Sequence, residues 1–254
     1  MKKLKIQNKF YEGLLKFGEY EHMKAFYEKG HLYFNTFLYF KQLEEKGDGR
    51  ADKNEYATAH YGGSAKYNIS LKISDSPDMS NAKTMNGGID FGALTIDTGK
   101  NKEFTHLYSM SSIDMEWAKK NDVIIDERNF AENKDYVVMI YNVNEFIKRL
   151  DNKFNELNIF GGCKHIEYIN KNSYDGEVGP FRKFDDYSYQ NEFRIVVNFG
   201  SLKPESIYLG SLSDISWEPC NKKDFYSKNF QIGKIENGKN KIIQISNKNI
   251  LDRL

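Results

Sequence analysis

Residues 184–197 read FDDYSYQNEFRIVV: a polar turn at Asp185-Asp186, then a segment closing on the apolar run Ile195-Val196-Val197. Alternate side chains of an extended backbone share a face. Gln190, Glu192 and Arg194 therefore point one way and Phe193 and Ile195 the other. The segment is a strand with one face committed to a core, and it carries a carboxylate on its polar face. A half-buried structural strand and a strand that presents a catalytic glutamate share this pattern, and spacing alone does not separate them.

Upstream, residues 170–187 contain Gly176, Gly179 and Pro180 and read as a loop that delivers this strand. His165–Ile169 and Val137–Tyr141 read as strands. Between them lies the strongest helical pattern of the chain, Val143 to Leu157. Val143, Phe146, Ile147, Leu150, Phe154 and Leu157 share one face, and Asn142 with Glu145 makes a capping-box-like start. Nearer the N-terminus, Leu14-Leu15-Lys16-Phe17 suits a first strand. Residues 19–29 repeat apolar side chains at Met23, Phe26 and Tyr27, with Gly30 as a C-terminal cap. His31–Asn35 alternates as a strand, Leu38–Glu45 suits a short helix, and residues 48–55 form a charged loop. Tyr67–Ile73, Ile89–Ile96 and Phe104–Met110 are further strands, with 74–88 a polar, turn-rich insertion. Ser206–Leu209 and Lys241–Ile245 are short alternating runs in a polar tail. The fold class expected is α+β: a single domain over 1–254 with a bent or split mixed β-sheet flanked by helices. Residues 14–197 form the main unit and 198–254 an extension that completes the sheet.

The chain has 254 residues, with 37 basic and 36 acidic side chains for a formal charge of +1. That balance gives no electrostatic case for a strong nucleic-acid or anionic-membrane binder. No run approaches the roughly 18 apolar residues a membrane span needs, and the basic start MKKLKIQNKF lacks a signal peptide's apolar core. Cys163 and Cys220 lie far apart without Cys-x-x-Cys or Cys/His spacing, which fits a reducing compartment and no structural zinc. A cytoplasmic protein without a metal is the expectation.

No phosphate-cradling glycine loop, Gly-x-Ser-x-Gly elbow or His-Glu-x-x-His motif occurs. What stands out is an order: a basic residue in an early strand, a serine-rich strand near 109–112, and Gln-x-Glu at 190–192. Three segments, LLKF with FYEKGHLYF, Leu107–Ser111 with Met115-Glu116-Trp117, and Phe184–Ile195, resemble the bacterial domain of unknown function 2971. The resemblance spans about residues 14–197. In place of that family's Asn-Asp-Pro turn after its second strand, this chain has Asn35-Thr36-Phe37.

The same order resembles the Arg/Ser/Glu branch of the ADP-ribosyltransferases. The resemblance implies NAD as a substrate and Glu192 as the catalytic glutamate. Gln190 would orient the acceptor, Ser109 and Ser111 would line the nicotinamide pocket, and Lys16 would stand at the NAD phosphates. Tyr108 or Tyr189 would stack on the nicotinamide. Lys16 replaces that branch's arginine, and an ammonium lacks the planar fork that clamps a diphosphate. A protein or nucleic acid would be the acceptor, in a toxin, a phage-defence effector or a counter-defence factor. Two other classes fit the sequence. One is a non-enzymatic inhibitor that occupies a partner's nucleotide or nucleic-acid site through its aromatics and the 48–55 and 74–88 loops. The other is a metal-dependent nuclease using Asp52, Glu55 and Glu192.

Overall fold

The computed structural model describes residues 13–40, 57–62, 66–73, 83–90, 93–96, 104–114, 118, 120, 124–130, 134–236 and 239–246. The first elements are β1 (Leu14–Gly18), α1 (Tyr20–Lys29), β2 (His31–Thr36), β3 (Ala59–Gly62), β4 (Lys66–Ile73), β5 (Lys83–Asp90), β6 (Ala93–Ile96) and β7 (Thr105–Ser112). After β8 (Tyr136–Ile140) and α2 (Val143–Glu156) come β9 (Phe160–His165), β10 (Glu167–Ile169), β11 (Asp175–Glu177), β12 (Arg182–Phe184) and β13 (Glu192–Asn198). The described chain closes with β14 (Glu205–Tyr208), β15 (Cys220–Asn221), α3 (Lys222–Ser227), β16 (Asn229–Glu236) and β17 (Lys239–Ser246).

β7 is the hub of the main sheet. One edge carries β13 along its length, from Glu192 opposite Ser111 to Asn198 opposite Thr105, with β9 beyond. The other edge is shared. β1 takes its C-terminal end, Leu14 and Leu15 opposite Ser112 and Ser111, and β2 its N-terminal end, Asn35 and Thr36 opposite Leu107 and His106. Between those two partners the sheet splits beside residues 108–110. β8 and β15 extend it past β1, and β14 extends it past β2. All these pairings are antiparallel, whereas β10 and β12 pair in parallel beside the sheet. This is the α+β fold with a split sheet that the sequence implies. Of the elements after residue 198, β14 and β15 are the outer strands of the two branches that share one edge of β7, and β16 pairs with β17.

Strand alternation builds a core on each face. Leu14, Tyr108, Met110, Val138, Phe193 and Ile195 face one way and pack with Met23 and Phe26 of α1 and Phe146 and Leu150 of α2. Leu15, Phe17 and Val137 face the other way and pack with Ile124, Phe130, Phe225 and Tyr226. α2 starts as its sequence implies, with the Asn142 side chain accepting from the Glu145 backbone N–H at 3.2 Å. α1 ends at Gly30, whose φ of 59° is left-handed, and a Cβ there would lie 2.5 Å from the Gly210 carbonyl oxygen.

Several local expectations change. Leu157 does not join the buried face of α2 but caps its end, 45% exposed. Within 74–88, residues from Lys83 onward form β5, which pairs with β4 despite Gly87 and Gly88, because ladder bonds come from the backbone. The 170–187 segment holds β11, β12 and the start of a 3-10 helix, Asp185–Gln190, each too short for a periodic pattern. His165–Ile169 is the junction of β9 and β10, not one strand. The 48–55 loop and residues 41–45 of Leu38–Glu45 lie outside the described residues; helix is seen from 37 to 40.

Candidate functional site

The turn that delivers Glu192 is set by Asn191. Its φ of 42° is left-handed, a region asparagine tolerates better than most residues. Its amide donates to the Ser112 carbonyl at 2.8 Å, and its own carbonyl accepts from the Ser112 N–H and hydroxyl, both at 2.8 Å. This clip fixes the register in which β13 begins, with Gln190 before it on the 3-10 helix and Glu192 as its first residue.

Glu192 is only 5% exposed and Arg194 1%, so the face they share is polar but not solvated. Glu192 Oε1 accepts from Ser109 Oγ at 2.5 Å and from Arg194 Nε at 2.8 Å. Glu192 Oε2 accepts from Lys183 Nζ at 2.8 Å. A carboxylate oxygen accepts about two hydrogen bonds, so Oε1 is filled and, among the described residues, Oε2 retains one acceptor position. The Glu192 backbone N–H donates to the Tyr168 hydroxyl at 2.9 Å. Burial would raise the carboxyl's pKa, but attraction and hydrogen bonds from Arg194 and Lys183 outweigh it and hold it below the usual carboxylate range. Such a carboxylate is a poor proton acceptor. Its chemistry is to accept a hydrogen bond and to stabilise positive charge.

Lys183 Nζ also donates to Gln190 Oε1 at 2.9 Å, so one ammonium joins both ends of the Gln-x-Glu pair. The Gln190 amide nitrogen makes a longer 3.5 Å contact with the Tyr189 hydroxyl. Arg194 Nη1 donates to the Pro180 carbonyl at 2.6 Å, which stitches the chain before β12 over the strand.

The remaining sequence-derived residues surround this centre. Ser111 stands opposite Glu192 in the ladder, but its hydroxyl donates to Asn129 Oδ1 at 3.0 Å. Asn129 in turn donates to the Tyr189 carbonyl at 3.1 Å, and the Tyr189 ring lies 3.9 Å from the Arg128 guanidinium carbon. Lys16 and Tyr108 alternate onto the face opposite Glu192. Lys16 Nζ sits 3.9 Å over the Tyr108 ring and donates to the Ser109 carbonyl at 2.7 Å, satisfying β7 where the sheet splits. Desolvation and the nearby charge of Lys134 lower its pKa to about 7, against the attraction of Glu192. Tyr108 is buried against Phe34 and Phe26, with ring centroids 5.5 and 6.2 Å away.

Lys16, Ser109, Gln190 and Glu192 thus belong to one network. Ser111 joins it only as a ladder partner, and Tyr108 through Lys16. The sequence reading missed Lys183, Tyr168, Asn129 and Asn191. The one available sign was the opposite charge of Glu192 and Arg194 two residues apart on one strand face. Lys183 lay in a segment read as loop. Asp52 and Glu55 lie outside the described residues, among which no cluster of three metal-ligating side chains occurs. No described helix is long and apolar enough to cross a membrane. The chain matches no protein family, no curated protein and no solved structure with which it was compared.

Proposed function

We propose that the chain is an NAD-using, ADP-ribosyltransferase-like enzyme whose central carboxylate is Glu192, with a protein or nucleic acid as acceptor. The observation that supports this reading is the bond from Ser109 on β7 to Glu192 on β13. It joins the serine strand to the Gln-x-Glu strand through Oε1, and among the described residues Oε2 keeps one acceptor position. A ribose hydroxyl would fill that position. As the nicotinamide–ribose bond breaks, its electron pair leaves with nicotinamide and positive charge builds on the ribose. A fixed, ionised carboxylate stabilises that charge without needing to take a proton. The acceptor's nucleophile then bonds to the ribose carbon and loses its proton to solvent. In this reading Ser109 orients Glu192, Gln190 orients the acceptor, and Lys16 acts through the Ser109 main chain.

Nicotinamide release from NAD by the purified protein, with and without cell lysate, tests this reading. Glu192→Gln with unchanged circular dichroism is expected to lower release by about a hundred- to a thousandfold. Dependence on lysate would show that an acceptor is required. A second reading, a non-enzymatic interaction protein, is favoured by one feature: Lys183 and Arg194 already neutralise Glu192, as they would a structural carboxylate. Neither release nor NAD binding in either condition would establish it over the first.

A further inference from the structure

We propose that Lys183 is the positioning residue of this site: its ammonium bridges Gln190 and Glu192 so that both side chains are held as one preset unit. The inference rests on reading Glu192 as the site's central carboxylate, and it goes beyond the serine, glutamine and glutamate roles by adding a lysine from outside the main sheet.

Three observations carry it. Lys183 is 5% exposed, and its Nζ lies 2.8 Å from Glu192 Oε2 and 2.9 Å from Gln190 Oε1. It therefore touches the Glu192 oxygen that has an acceptor position left among the described residues, on the side where a substrate hydroxyl would bind. Its strand, β12, pairs with β10 and not with the main sheet, and Tyr168 of that same β10 holds the Glu192 backbone N–H. The small parallel pair thus grips Glu192 at both its main chain and its side chain. Thirdly, the bond to Gln190 fixes the amide's orientation. With Oε1 facing Lys183, the Gln190 NH2 is turned away from the ammonium and, with one long 3.5 Å contact to the Tyr189 hydroxyl, is the end that would meet an acceptor. An unbridged glutamine beside a glutamate would populate several rotamers, and each would cost conformational entropy on substrate binding.

Carbon-13 NMR titration of Glu-labelled protein, with the Glu192 carboxyl assigned by Glu192→Gln, reads the bridge without relying on activity. In Lys183→Met the Glu192 carboxyl is expected to titrate at higher pH than in wild type, and the Gln190 side-chain amide resonances to shift. Lys183→Arg is expected to restore most of both effects. An unmoved carboxyl titration together with unmoved Gln190 resonances overturns the proposal. Should Lys183→Met fail to fold, Gln190→Leu keeps every charge and is read through the Lys183 ammonium nitrogen resonance. A shift supports the bridge and an unshifted resonance overturns it. Nicotinamide release decides the enzymatic reading separately: the bridge can hold in a protein that releases none, and can fail in one that does.

Discussion

Glu192 and Tyr226 are both buried polar side chains, 5% and 0% exposed, yet the fold treats them in opposite ways. Glu192 lies on one face of the sheet with Ser109, Arg194 and Lys183 on its carboxylate. Tyr226 lies in the aromatic cluster with Phe130 and Phe225, and its hydroxyl has no hydrogen-bond partner among the described residues. An orphaned buried hydroxyl costs on the order of 1–3 kcal/mol, so packing of the ring must offset it. The difference separates two sources of rigidity. The Tyr226 region is held by shape, and a polar atom there is tolerated. The Glu192 region is held by mutual satisfaction of charges, so the loss of one member leaves the others exposed to their full desolvation cost.

The largest expected effect breaks the charged side of that comparison. Arg194→Met strands Glu192 with one cation and leaves the Pro180 carbonyl without its donor. It should lose about 3–5 kcal/mol in denaturant unfolding. A loss below about 1 kcal/mol would place the network among ordinary surface ion pairs.

The next effect concerns acid. Folding holds the Glu192 pKa below its ordinary 4.5, so its contribution is complete above that value and is lost as pH falls beneath it. The stability of wild type relative to Glu192→Gln should therefore shrink as pH drops from about 5 towards 3. A pH-independent difference would contradict the ionised, cation-held carboxylate.

Lys16 should slope the same way, with stability rising with pH, but at neutral to alkaline pH. Its folded pKa of about 7 lies below the ordinary 10.5, so between these values the unfolded chain binds the extra proton. Stability should rise with pH over that window by on the order of 1 kcal/mol per pH unit at most, and Lys16→Met should lack the rise. The smallest effect tests the apolar region. Tyr226→Phe removes the orphan hydroxyl and should be neutral or stabilising by up to about 1 kcal/mol in thermal unfolding. A loss above 1 kcal/mol would mean that the hydroxyl has a partner, which would erase the contrast.

How far the sequence reveals this arrangement follows from which interactions are periodic. The Leu14–Phe17 strand, both main helices and the alternation of Phe193 and Ile195 all follow from apolar spacing. Burial by one face leaves that mark at every second or every third and fourth residue. Ser109, Gln190 and Glu192 could be singled out by their order along the chain, but not their partners. Lys183 sits on a three-residue strand, and Asn191 acts through a single left-handed turn, so neither belongs to a repeating pattern. The split of the sheet beside Tyr108–Met110 depends on β1 and β2 choosing opposite ends of one strand. Spacing along a single chain does not encode that choice. Nor does it show that Lys16 donates to the carbonyl of Ser109 and lies across the sheet from Glu192.

The shared edge of β7 also bears on how the protein is made. Lys16 and Ser109 are 93 residues apart, and Ser109 and Glu192 a further 83. While the chain emerges from a ribosome, β1 and β2 have finished long before their common partner exists, and β7 then waits for β13. At ordinary synthesis rates each wait lasts on the order of ten seconds. During that time Leu14, Leu15, Leu32 and Phe34 belong to strands with bare edges, the kind of surface that holdase chaperones cover. The hub that joins the finished sheet thus leaves the edges of β1 and β2 unpaired in the newborn chain until β7 has been made.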